Sequence, residues 1–166
     1  MIIKSTDLEL QDPQAVIASP TPATSTVRVL HLINGEHFAG AERVQDLLAM
    51  ALPQFGYEAG FACVKAEKFP EVRHSDVPLY KLKMRNKLDV LCYRQVAKIV
   101  REEDYKLIHA HTPRSLLVGI LAARAAKVPL IYHVHSPIGR DSNRGFTNWV
   151  NTKVETWTLN LSLIHI

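Results

Sequence analysis

The feature that most constrains this chain is a rhythm. Five short apolar runs recur along it: VRVLHLI (Val27–Ile33), YEAGFACVK (Tyr57–Lys65), VPLYKLK (Val77–Lys83), KLIHAH (Lys106–His111) and LIYHVHS (Leu130–Ser136). The first is nearly continuous apolar, β-branched and short, which is the pattern of a strand covered on both faces. Between most of the runs lie segments with helical periodicity. Strands that alternate with helices pair in parallel through right-handed crossovers. The expected architecture is α/β, a Rossmann-like parallel sheet with helices on both faces. At 166 residues one domain is the expectation.

The helical segments can be read in turn. Ala41 to Leu52 places Val44, Leu47, Leu48, Ala51 and Leu52 on one stripe, as for a core-facing side, and Pro53 stops it. Residues 66–76 read as a charged loop. Asn86 is expected to cap the next helix with Asp89 in its first turn, and Leu88, Leu91, Val96, Ile99 and Val100 form the apolar face. Thr112 and Pro113 form an N-cap and N1 pair ahead of an alanine- and leucine-rich helix from Ser115 to Lys127. Residues 137–146 form a polar, glycine-containing loop. Thr147 is expected to cap a last helix carrying Val150, Val154, Trp157 and Leu161.

The ends read differently. Residues 1–26 close in ASPTPATST, without periodicity, and are expected to be a disordered leader. The terminal LSLIHI (Leu161–Ile166) looks like a translated sequencing adapter appended to a truncated gene, so residues 161–166 are set aside from the fold.

Composition excludes several classes. A net charge of +4 with scattered basic residues does not point to nucleic acid. No apolar stretch approaches the roughly 20 residues needed to span a bilayer. The N-terminus has acidic residues and no apolar region of the kind a signal peptide needs. Cys63 and Cys92 lie in apolar segments and read as reduced interior thiols, which points to the cytoplasm.

Ligands on open parallel sheets bind at the carboxyl ends of strands. One loop there is NGEHFAGAE (Asn34–Glu42). Its glycines let backbone approach an anion, and the helix N-terminus behind it supplies N–H groups and a positive dipole. It is neither a dinucleotide fingerprint nor a P-loop. The other two candidates are His-x-His endings. Alternate residues of a strand share a face, so His109 goes with His111 and His133 with His135. A metal is not expected, because Asp141 is the lone nearby acid and His-x-His metallohydrolases on barrels need roughly 250 residues. His109 and His133 read as hydrogen-bonded core residues. His111 and His135 read as ligand-facing donors or proton carriers. Arg140, Asn143 and Arg144 offer a hydrogen-bonding surface for a polyol or phosphate.

Together these pieces resemble one family. VRVLHLINGEHFAGAERV is similar to the opening of the amino-terminal half of a family 4 glycosyltransferase. The Gly-Gly-x-Glu-like loop of that family here reads Gly40-Ala41-Glu42. YKLIHAHTPRSLLVGILAARAAKVPLIYHVHS resembles the family's D-x-x-H-x-H, helix, P-x-I-x-T-x-H core, with Lys106 in place of the aspartate. The likeness covers Val27 to Asn160. It implies half of a GT-B fold: two Rossmann-like domains facing across a cleft, and retaining transfer of a hexose without a bound metal. The donor implied is a UDP- or GDP-sugar. The acceptor implied is a glycan, a lipid or a small molecule, as in cell-envelope polysaccharide synthesis. By resemblance, Gly40, with Ala41 beside it, sits by the donor diphosphate. His135 is the catalytic contact to the transferred sugar. His111 and the loop bearing Arg140, Asn143 and Arg144 face the acceptor.

The donor-binding carboxyl-terminal domain of the family is absent from the sequence, so the fragment alone is expected to be inactive. Peripheral contact with the inner membrane surface is left open. The alternative reading is a stand-alone Rossmann-like module that binds a nucleotide or phosphorylated ligand without catalysis.

Overall fold

The computed structural model describes residues 26–82, 84, 89–133 and 164–165. Its strands are β1 (Val27–Ile33), β2 (Tyr57–Cys63), β3 (Leu79–Lys81), β4 (Leu107–Ala110), β5 (Leu130–Tyr132) and β6 (Ile164–His165). They form one sheet in the order β3-β2-β1-β4-β5-β6, and every pairing is parallel. β1 is central: all seven of its residues pair with β2, and Val29 to Leu32 pair with Leu107 to Ala110 of β4. The Rossmann-like α/β expectation is met.

Helices cover both faces. α3 (Tyr93–Glu102) and α4 (Pro113–Ala126) lie on one side. There Leu30 and Leu32 of β1, Ile108 and Ala110 of β4, and Leu130 and Tyr132 of β5 pack against Val96, Val100 and Leu116. Each fully buried leucine or isoleucine in that set stabilises the fold by about 1.5–3 kcal/mol. α1 (Gly40–Ala51) and the short α2 (Phe69–Val72) lie on the other side, where Ala49 and Phe69 pack on Ile33, Ala59, Phe61 and Cys63. Both cysteines are free and buried, as expected. Burial pushes the Cys63 thiol up to about 12 and the Cys92 thiol up to about 11, so neither is a ready thiolate.

Local chemistry sets the helix boundaries. Thr112 caps α4 as expected: its hydroxyl accepts the Ser115 N–H at 3.2 Å, and Pro113 occupies the first helical position. The helix ends where Lys127 turns left-handed at φ 60°. Before α3, Asp89 is a cap rather than a first-turn residue: its carboxylate accepts the Leu91 N–H at 3.1 Å and starts a 3-10 turn, Val90–Cys92. Asn86 and Leu88 lie outside the described residues, as do residues 1–25 and the expected helix after Thr147. A helical turn, α2, interrupts what the sequence presents as a loop over 66–76.

α1 reverses an expectation. Its apolar stripe does not face the sheet: Val44, Leu47 and Leu48 are exposed, and Gln45, Asp46 and Ala49 are buried instead. The reason is Asp46. Its carboxylate accepts the His74 N–H at 2.7 Å, the Ser75 N–H at 3.1 Å and the Ser75 hydroxyl at 2.6 Å. Turning the apolar stripe inward would strand those donors on the chain between α2 and β3. No helix among the described residues is long and apolar enough to cross a membrane.

Candidate functional site

The sheet's two faces differ in kind. Strand alternation sends Leu30, Leu32, Ile108, Ala110, Leu130 and Tyr132 into the α3–α4 core. The intervening positions put His31, His109, His111 and His133 together on the opposite face. His31 and His109 are register partners on β1 and β4. The His111 N–H donates to the Leu32 carbonyl at 3.3 Å, and the His133 N–H donates to the Ala110 carbonyl at 2.9 Å, so both continue the ladder. Ring centroids lie 5.1 Å apart for His31 and His109, 4.1 Å for His109 and His111, and 5.9 Å for His109 and His133. The repeated His-x-His phrase therefore builds one imidazole row across three neighbouring strands.

The row is buried at its β1 end. His31 is 2% exposed and His111 is 5% exposed, while His109 and His133 are half-buried. His31 Nδ1 lies 3.1 Å from His111 Nε2. Burial first, and the neighbouring His109 second, push the His31 imidazole down to about 3, against an opposing influence of the nearby Gln45 amide, which favours the charged ring. His31 is thus a neutral ring at physiological pH. Sequence reading passed over it, because a single histidine in VRVLHLI breaks no strand pattern; its same-face relation to His109 appears only once the register is known.

Above the row, the strand ends form a polar rim. Gly35 adopts φ 78°, and an added Cβ would lie 3.0 Å from Cys63 Sγ, so this position requires glycine. Its carbonyl accepts the N–H groups of Glu67 and Phe69 at 3.1 and 3.2 Å, and Lys65 N–H donates to the Asn34 carbonyl at 2.8 Å. The β1–α1 loop is thereby tied to the loop after β2. Lys65 Nζ sits 2.6 Å from Glu36, and this hydrogen bond holds the Glu36 carboxyl below the usual carboxylate range. Arg114, in the first turn of α4, donates to Asn34 Oδ1 at 3.5 Å. It is a rim cation the sequence reading missed, and its signal was the Thr-Pro-Arg start of a helix directly after a strand end.

The sequence candidates fall as follows. Gly40 is the first residue of α1 and is exposed, and an added Cβ there meets nothing within 4 Å. Ala41 follows it, half-buried. Glu42 accepts the Ala39 N–H at 3.3 Å, which leaves the Gly40 and Ala41 amides as first-turn donors. His111 sits beneath the rim against His31. His135, Arg140, Asn143 and Arg144 lie outside the described residues.

The profile of Glycosyltransferase Family 4 matches residues 38–164. A search of curated proteins gave no match. Among solved structures, HepE of Anabaena in complex with UDP and glucose is 20% identical with a TM-score of 0.63, covering 84% of this chain and 37% of that one. A protein described as a putative UDP-N-acetylglucosamine 2-epimerase from Listeria monocytogenes is 12% identical with a TM-score of 0.63, covering 86% of this chain and 38% of that one. MurG of Acinetobacter baumannii is 14% identical with a TM-score of 0.59, covering 84% of this chain and 40% of that one. The chain thus spans well under half the length of these relatives. At such identities the likeness establishes the fold alone; the family profile is the finer discriminator.

Proposed function

Because the chain belongs to glycosyltransferase family 4, we propose that it is the amino-terminal, acceptor-side half of a retaining GT-B enzyme. That enzyme moves a hexose from a UDP- or GDP-sugar to a glycan or lipid-linked acceptor. The observation that carries the proposal is the family match laid over a Rossmann-like sheet whose strand ends present the β1–α1 loop and the start of α4 along one polar edge. A departing nucleoside diphosphate asks for preorganised donors and positive dipoles rather than a protein nucleophile. The first-turn amides at Gly40 and Ala41, at the exposed start of α1, suit that demand.

In this reading His135 touches the transferred sugar near the scissile bond, and Arg140, Asn143 and Arg144 bind the acceptor. His111, buried against His31, serves the site from below by holding the end of β4. The nucleotide and the transferred hexose are bound chiefly by a second domain, so the 166-residue chain alone turns nothing over. The transfer itself runs without a metal, and the work is done on the cytoplasmic side, with peripheral membrane contact where the acceptor is lipid-linked.

The test is a diphosphate-release assay on the enzyme encoded by the uninterrupted source gene, with UDP- and GDP-hexoses and membrane or glycan extracts as acceptor. Acceptor-dependent release is expected, reduced at least about 100-fold in His135→Ala, as for removal of one transition-state contact. Turnover by the 166-residue chain alone would overturn the half-enzyme reading. Full activity in His135→Ala would overturn the assignment of that residue.

A further inference from the structure

We propose that His31, His109 and His111 form a binding site for a divalent first-row transition metal of the zinc class, an ion that cross-links β1 to β4 and the start of α4. The proposal does not depend on the transferase reading. It rests on convergence: one ligand nitrogen from each of the three side chains can be chosen so that all lie within 4.8 Å of one another. Tetrahedral zinc with Zn–N bonds of roughly 2.0–2.1 Å sets its nitrogens about 3.3 Å apart. His31 Nδ1 and His111 Nε2 already stand at 3.1 Å. The remaining adjustment is a side-chain rotation, not a backbone movement.

The backbone beneath these rings is fixed. His31 and His109 are paired across two sheet strands. His111 is held twice through its N–H, by the Leu32 carbonyl at 3.3 Å and by Ser115 Oγ at 3.1 Å. Metal affinity rises when ligands need not be gathered or deprotonated.

The far side of His31 fits as well. Metal-bound imidazoles nearly always hand their other nitrogen to a hydrogen-bonding partner that fixes the ring. With Nδ1 aimed at His111, His31 Nε2 remains. Gln45, 1% exposed, lies near it on α1, and neither His31 Nε2 nor the amide oxygen or nitrogen of Gln45 has a hydrogen-bond partner among the described residues. The orientation that Asp46 gives α1 thus also brings Gln45 to this site. Three imidazoles with no carboxylate suit zinc, copper, nickel or cobalt and are poor ligands for magnesium or calcium. The sequence argument against a metal looked for acidic or thiol company, which a three-histidine set does not require.

The probe is Co²⁺, titrated into the metal-free 166-residue chain at pH 7.5 and read by visible absorption. Expected are intense bands of four-coordinate cobalt that saturate at one equivalent and are displaced by Zn²⁺. His109→Gln should weaken binding by more than the roughly 10–100-fold that loss of a partner behind a ligand costs, and Gln45→Leu should fall within that range. His37→Gln, on an exposed loop residue, should change nothing. Circular dichroism establishes that each variant is folded, and His111→Gln replaces His109→Gln if the latter is not. The absence of a saturable one-equivalent signal on the parent chain overturns the proposal without any variant. So do weak six-coordinate bands, or affinity retained in a folded His109→Gln or His111→Gln.

Discussion

His31 Nδ1 and His111 Nε2 meet at 3.1 Å inside the protein, on strands that begin far apart in sequence. The burial of His31, with His109 beside it, links pH to stability. His31 titrates at about 3 when folded, against 6.5 as an ordinary histidine. Between those values the unfolded chain binds a proton that the folded chain refuses. Its contribution is therefore complete above about pH 6.5 and is lost as pH falls, at up to about 1.4 kcal/mol per unit. Urea midpoints in metal-free buffer from pH 7.5 to 4.5 should fall steadily, and His31→Leu should flatten that slope. An equal slope in both proteins would assign it to another group.

Asp46 gives a second pH signature at a lower range. Burial alone would raise its carboxyl, but the hydrogen bonds from His74 and Ser75 outweigh this and hold it below 3.8. Its stabilisation is present above that ordinary value and is lost as pH falls through the lower, folded one. Asp46→Ala leaves the His74 and Ser75 N–H groups without their acceptor and should cost about 3 kcal/mol. The melting temperature should fall by roughly 6–12 °C. A drop of under about 1 kcal/mol, within ordinary surface-mutation scatter, would mean that the 73–76 segment is held by something else.

Gly60 is required by packing rather than by a turn. A Cβ there would lie 1.9 Å from the Tyr105 hydroxyl oxygen. That ring is 1% exposed, with the Arg28 guanidinium 4.5 Å over its face and the Tyr80 hydroxyl at 3.4 Å, so it has little room to move. Gly60→Ala should cost about 1–3 kcal/mol by overpacking. In a Tyr105→Leu background most of that cost should disappear. A double-mutant cycle measures the coupling, and additivity within about 0.5 kcal/mol would contradict the clash.

What was legible in the sequence was whatever hydropathy and capping chemistry encode. The parallel α/β order follows from runs such as VRVLHLI, and the Thr112-Pro113 start of α4 follows from residue type alone. The site was half-legible. The His-x-His endings announced histidines at strand ends, but His31 needed the β1–β4 register to join them. Gln45 and Asp46 were invisible for a related reason: a polar residue buried by its hydrogen bonds reads, in a periodicity count, as a surface residue. Asp89 caps a 3-10 turn that precedes α3, and no hydropathy pattern distinguishes that turn from a first helical turn.

The orientation of α1 permits the sharpest test of that last kind of error. Leu47 is 61% exposed and Ala49 is 1% exposed, two residues apart on one helix. If the apolar stripe faced the sheet, Leu47→Lys would bury a charge and Ala49→Lys would be harmless. The observed packing reverses the ranking. Leu47→Lys should stay within about 0.5 kcal/mol of the parent, as exposed substitutions do. Ala49→Lys forces a long, charged side chain among Ile33, Phe61 and Phe69 and should cost more than about 3 kcal/mol or abolish folding. Urea denaturation of the two variants side by side reads the difference. The opposite order would turn α1 by half a revolution, expose Gln45, and remove the partner that faces His31 from above.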